Sequence, residues 1–101
     1  MFFEESKVDF IKKIIDYGIG VDLSGYEISS FSKELSEYFE KFTYYTSKVE
    51  KNNLVLVKDD KSRSCQIEIT NLGILFVNYD KHMAINMMPA LVKFIAKKTF
   101  N

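Results

Sequence analysis

Residues 28–70, ISSFSKELSEYFEKFTYYTSKVEKNNLVLVKDDKSRSCQIEIT, constrain this chain most. Ile28, Phe31 and Leu35 stand at i, i+3 and i+7 and predict a short helix over about 28–36, with Ser29 or Ser30 as its cap. Glu37-Tyr38-Phe39 reads as a tight turn. A second helix is expected over about 40–52, with Phe42, Tyr45 and Val49 inward and Lys41, Thr43, Tyr44, Ser47, Lys48 and Lys51 outward. Asn52-Asn53 would stop it, because Asn tolerates the left-handed conformation of a helix end. Residues 54–58 are apolar and β-branched, and residues 64–69 alternate, with Cys65, Ile67 and Ile69 on one face. These predict two strands joined by the polar tip Asp59-Asp60-Lys61-Ser62-Arg63.

The flanks read as helices. Val8, Ile11 and Ile15, widened by Phe10, Ile14 and Tyr17, predict an amphipathic helix over 4–17 that Gly18 and Gly20 end. Thr70 would cap a helix beginning at Asn71 and carrying Leu72, Leu75, Phe76, Tyr79 and Met83. Pro89 divides that stretch into segments of about 71–87 and 89–99. No linker, repeat or composition shift appears, so residues 1–101 read as a single domain. The expected fold is α+β but mostly helical: a winged helix-turn-helix with a two-stranded β wing. Residues 28–70 would form the helix-turn-helix plus wing, and 1–20 and 71–101 the N- and C-terminal dimerisation helices.

Composition removes several alternatives. Hydrophobic residues make up 47% of the chain, too many for disorder. No apolar run approaches the ~18 residues that span a bilayer, MFFEESK lacks the form of a signal peptide, and one Cys cannot form an internal disulfide; a cytoplasmic setting is expected. Net charge is zero but unevenly placed: residues 1–40 hold nine acids against four lysines, and residues 41–101 ten bases against five acids. That split is compatible with one basic face and equally with a mixed solvated surface.

Four short stretches resemble the MarR superfamily of winged-helix regulators, especially its SarA-like branch. They are Ile28-Ser29-Ser30-Phe31, Val49-Glu50-Lys51-Asn52-Asn53-Leu54-Val55, Lys61-Ser62-Arg63 and Ile69-Thr70-Asn71-Leu72-Gly73. The run Tyr44-Tyr45-Thr46-Ser47-Lys48 is similar to a segment common in SarA-like recognition helices. The sequence departs from the family at the wing Asp, where Lys61 stands, at Glu40, which would face phosphate, and at Asn53, where a helix-stop Gly is usual. The resemblance implies a homodimeric, sequence-specific transcription regulator that binds double-stranded DNA.

On that reading a helix over 40–52, about 20 Å long, enters the major groove. Lys41 and Lys48 meet phosphates, Thr43, Tyr44 and Ser47 reach base edges or phosphates, Lys58 and Lys61 grip the backbone, and Arg63 enters the minor groove. Phe2 and Phe3, with Met83, Met87, Met88, Leu91, Phe94, Ile95 and Phe100, hold more apolar surface than a small helical core covers, and are expected at the dimer interface. The alternative is a winged-helix protein-interaction module, an adaptor or inhibitor without DNA binding. Glu40, the zero net charge and the apolar strand over 54–57 speak for it.

Other chemistry finds little footing. Cys65 next to Arg63 could sense redox state, but it shares its strand face with Ile67 and Ile69, which favours packing. His82 stands alone, so no metal is expected. Glu4-Glu5 and Asp59-Asp60 are adjacent pairs whose side chains diverge on regular elements. No nucleophile motif or phosphate loop appears, and neither a cofactor nor enzyme activity is expected.

Overall fold

A computed structural model describes residues 17–51 and 53–100. In order, these form β1 (Gly18–Gly20), α1 (Ile28–Glu40), β2 (Tyr45–Lys51), β3 (Leu54–Asp59), β4 (Ser64–Thr70), β5 (Gly73–Tyr79) and α2 (Lys81–Phe100). The strands make one antiparallel sheet of order β1-β5-β4-β3-β2. The expectation of a mostly helical winged helix-turn-helix is therefore overturned: the domain is an α+β sheet protein with two helices in its described residues. The amphipathic helix expected over 4–17 lies, but for Tyr17, outside them, as do Phe2 and Phe3.

Strands replace the helix expected over 40–52 and the first half of the one expected over 71–87, for one physical reason. Phe42, Tyr45 and Val49 fit helical spacing, but Tyr45, Ser47 and Val49 also fit a period of two. Their partners across the ladder are Asp59, Val57 and Val55. Thr43, Tyr44, Tyr45, Thr46 and Val49 are β-branched or aromatic, residue types that suit a pleated, half-buried surface. Lys51 pairs with Leu54, so β2 and β3 form a hairpin where a helix stop was expected, and Asn is a residue type that hairpin links favour as helix stops do. Likewise Gly73-Ile-Leu-Phe-Val-Asn-Tyr is a short apolar run that forms β5 and not the start of a helix. The Thr70 hydroxyl accepts the Leu72 N–H at 3.1 Å, capping a turn between strands.

The helices that do form follow their apolar stripes. In α1, Phe31, Ser32, Leu35, Ser36 and Phe39 are buried, and the helix runs through the turn expected at 37–39. Ser36 and Ser47 share a 2.8 Å hydroxyl contact, and the Ser47 hydroxyl donates to the Ser36 carbonyl at 2.6 Å. These bonds let polar groups enter the core while tying α1 to β2. In α2, Met83, Ala84, Met87, Leu91, Phe94 and Ile95 are buried. The Asp80 carboxylate caps its first turn, accepting the Met83 N–H at 2.9 Å. Pro89 sits inside the helix. Its missing N–H orphans the Ile85 carbonyl on a side where Ile85 is 51% exposed, so water can satisfy that group.

One hydrophobic cluster joins both helices to one face of the sheet: Val55 and Val57 from β3, Cys65, Ile67 and Ile69 from β4, Ile74 and Phe76 from β5. Met83, Met87, Leu91, Phe94 and Ile95, expected at a dimer interface, are buried within this cluster, and Met88 packs on its margin. The C-terminal helix folds back on its own domain.

The backbone is closely approached at Gly73, whose φ is +139°; a Cβ there would stand 2.1 Å from the Ile19 carbonyl oxygen. Gly25, on an exposed turn, has nothing within 4 Å. Gly73→Ala should therefore lower the urea midpoint sharply, by several kcal/mol of stability on the scale of ~1–3 kcal/mol per strained residue plus the displaced strand pairing. Gly25→Ala should leave the midpoint within about 1 kcal/mol of the parent. Equal midpoints for the two variants would contradict the β1–β5 register.

Candidate functional site: a lysine-rimmed groove

Both helices lie on the same face of the sheet and are held apart by aromatic rings. Tyr38 meets Phe94 at a centroid distance of 5.1 Å, and Phe31 meets Phe94 edge-on at 5.4 Å. The Lys98 ammonium is ion-paired with Glu34, and the Tyr26 hydroxyl donates to the Lys98 carbonyl at 2.9 Å. These contacts set α1 and the C-terminal half of α2 side by side in opposite senses. Between them lies a groove of about 680 Å³ lined by Glu34, Glu37, Tyr38, Lys41, Lys93, Phe94, Lys97 and Lys98.

The groove combines an aromatic floor with a charged rim. Tyr38 is half-buried and Phe94 almost fully so. Lys41, Lys93 and Lys97 are exposed, and among the described residues none has a carboxylate oxygen within 4 Å. Lys93 and Lys97 are one helical turn apart and so project from one face. Lys97 and Lys98 also stand in the last turn of α2, where the helix dipole favours positive charge. Four lysines against two glutamates give a rim that attracts anions, around a floor that attracts apolar or aromatic groups.

A smaller hollow of about 280 Å³ is lined by Tyr44, Tyr45, Asp59, Asp60, Arg63, Met83 and Asn86. Its guanidinium is already engaged. Arg63 Nε and Nη2 each lie 2.7 Å from Asp59 Oδ2, while Asp59 Oδ1 accepts the N–H groups of Lys61 and Arg63 at 3.0 Å. Burial pushes the Asp59 carboxyl up, but these hydrogen bonds and the Arg63 charge outweigh it and hold the group below the usual carboxylate range. Asp59 in turn holds Arg63 above its ordinary value. The pair closes the β3–β4 turn, where Ser62 takes a φ of 65°.

The residues expected to bind DNA are dispersed. Lys41 joins the groove. Thr43 lies on the exposed turn before β2, and Tyr44, 50% exposed, borders the small hollow. Ser47 turns inward to Ser36. Lys48 and Lys58 point from the opposite face of the sheet, Lys48 paired with Glu50 at 3.6 Å. Lys61 tips the β3–β4 turn, and Arg63 is clasped by Asp59. The stretch expected to enter a major groove is a turn and an edge strand. The family-like stretch at 49–55 spans the β2–β3 hairpin, and that at 69–73 spans the β4–β5 turn.

Cys65 is fully buried on β4, its thiol 3.7 Å from the Asp80 carbonyl. Burial pushes the thiol up to about 11, leaving scarcely any thiolate at neutral pH, against a redox-sensing role. His82 is exposed, and among the described residues no three His, Cys, Asp or Glu side chains could hold a metal ion together. No helix among the described residues is long and apolar enough to cross a membrane. Sequence reasoning missed Glu34, Tyr38, Lys93 and Lys97. Their signal was available in two i, i+4 pairs on helix faces, Glu34 with Tyr38 and Lys93 with Lys97. No protein-family model, curated protein or solved structure matches the chain.

The clasp has a pH signature. A carboxyl depressed in the folded state contributes stability that is present above its unfolded value, near pH 4, and lost as pH falls through the folded one. The urea midpoint of the parent should exceed that of Asp59→Asn at neutral pH, and the difference should close as pH falls below the ordinary carboxylate range. A difference that is constant from neutral to acid pH would contradict the clasp.

Proposed function

We propose that this chain is a protein-interaction module, an adaptor or inhibitor, that holds an acidic segment carrying an aromatic or large apolar side chain. The groove between α1 and α2 carries this reading: a concave site with an aromatic floor, rimmed by lysines that lack partners among the described residues. An aromatic side chain in such a groove is anchored by area and ring geometry, and flanking carboxylates by the rim charge. The chemistry that would make the groove an active site is missing from its lining, which offers no nucleophile–base pair and no metal-ligand set.

Binding to duplex DNA has less to rest on. It required one helix to present Lys41, Thr43, Tyr44, Ser47 and Lys48 together, and these residues occupy a turn and two faces of a strand. Lys48 and Arg63 are engaged with Glu50 and Asp59. A homodimer built through the C-terminal helix loses its apolar surface to the core.

The test is a fluorescence titration of the full chain with a labelled synthetic peptide, Glu-Glu-Phe-Phe-Glu-Glu. Binding should be saturable and weaken with salt. Lys93→Glu/Lys97→Glu should raise Kd by about tenfold or more, a loss of ~1.4 kcal/mol or greater, while far-UV dichroism stays unchanged because both positions are exposed. Equal affinity for parent and double variant, or tight retention of duplex DNA that Lys48→Ala abolishes, would overturn the reading.

A further inference from the structure

α2 has an outer face that the groove does not use. Met83, Ala84, Met87, Leu91, Phe94 and Ile95 turn one side of the helix into the core. Ile85, Pro89, Val92 and Ala96 fall on the other side, successively four, three and four residues apart. At about 100° per residue they occupy a stripe about 60° wide. Ile85 and Val92 are half exposed, Pro89 is exposed and Ala96 half-buried. Apolar side chains at this spacing make a seam along the axis, the pattern on which one helix receives another.

Charge narrows what can lie on the seam. α2 carries Lys81, His82, Lys93, Lys97 and Lys98 and no Asp or Glu. Lys93 and Lys97 border the seam on its groove side, about 40° and 80° beyond Pro89. Among the described residues neither has a carboxylate oxygen within 4 Å. From Ile85 onward the other flank, at Met88 and Thr99, is uncharged. A second copy laid seam to seam would bring two basic helices together, a repulsive placement. A lipid surface is alike on both sides of a seam, whereas the lysines here stand on one. A helix with one acidic flank matches both the seam and the lysine row.

We propose that the outer face of α2 docks an acidic amphipathic α-helix of the partner, its apolar seam on Ile85, Pro89 and Val92 and its carboxylates on Lys93 and Lys97. The inference rests on the reading of the groove as a site for an acidic segment, and it extends that segment. Lys93 and Lys97 stand between groove and seam, so one acidic flank serves both. From Ile85 to Ala96 the seam runs about 17 Å at ~1.5 Å per residue, about three turns of a partner helix. Apolar contact along that length adds to the grip of the groove.

The test uses two labelled synthetic peptides. Glu-Glu-Phe-Phe-Glu-Glu reports on the groove. Three repeats of Leu-Glu-Ala-Leu-Glu-Glu-Ala make a helix with an apolar seam and one acidic flank. Each is titrated against the full-length parent, a seam variant (Ile85→Ser/Val92→Ser) and the groove variant (Lys93→Glu/Lys97→Glu). Ser is close to Ile and Val in helix propensity, so the far-UV dichroism of the seam variant should match the parent's. The seam variant should bind the repeat at least about tenfold more weakly than the parent, and the hexapeptide within about twofold of it. The groove variant should lose at least about tenfold for both. Equal affinity of parent and seam variant for the repeat, with the hexapeptide bound, overturns the helix dock and leaves the groove reading standing. No binding of the hexapeptide by the parent overturns the groove reading and the inference with it. Retention of the parent but not the seam variant on vesicles of equimolar phosphatidylcholine and phosphatidylserine, with the repeat unbound, assigns the face to a membrane and overturns the dock.

Discussion

The burial of the central strand's inner face is the constraint on which the rest of this structure depends. β4 lies at its centre, and Cys65, Ile67 and Ile69 all point to one face, each fully buried. Because side chains on a strand alternate, a slip of one residue would move the whole set to the opposite face. The register of β4 thus dictates which side chains of β3 and β5 turn inward: Val55 and Val57 on one flank, Ile74 and Phe76 on the other. With these side chains gathered on that face, both helices cover it. Two helices sharing one small sheet, spaced by Phe31, Tyr38 and Phe94, leave a furrow between them on the solvent side. The groove is a consequence of the packing and not an addition to it.

Part of this was legible in the sequence. The alternation over 64–69 identified the central strand and its inner face, and the stripe of Phe31 and Leu35 identified α1. The rest was obscured by residues that satisfy two periods at once. Tyr45 and Val49 fit a helix face and a strand face equally, and only the β-branched and aromatic neighbours at 43–46 tip the choice. An Asn-Asn pair suits a helix stop and a hairpin link alike. Leu72, Leu75 and Phe76 mimic a helical stripe, whereas Gly73 is where β5 begins because no larger residue fits against Ile19. A resemblance spread over short turn-rich stretches shared these ambiguities, since Asn, Gly and Thr mark chain reversals in helical and sheet folds alike.

The site was less legible than the fold. A groove is made by residues distant in sequence, here 34–41 and 93–98, and nothing local announces that Tyr38 will face Phe94. Arg63 illustrates the converse error. A basic residue at a hairpin tip resembles a contact for phosphate, but Asp59, four residues earlier, engages it in a bidentate pair on one oxygen and draws its charge into the turn. Lys41, Lys93 and Lys97, without carboxylate partners among the described residues, gather around an aromatic floor, which turns the functional reading from nucleic acid to an acidic segment of protein.

That reading stands or falls on where such a segment touches the molecule. Amide chemical shifts of the isotope-labelled full chain, followed during titration with Glu-Glu-Phe-Phe-Glu-Glu, measure this directly. The expected result is a set of concentration-dependent shifts confined to Glu34, Tyr38, Lys41, Lys93, Phe94 and Lys97, with the opposite sheet face at Lys48 and Lys58 unmoved. Shifts centred on Lys48 and Lys58, with the groove silent, would contradict the account.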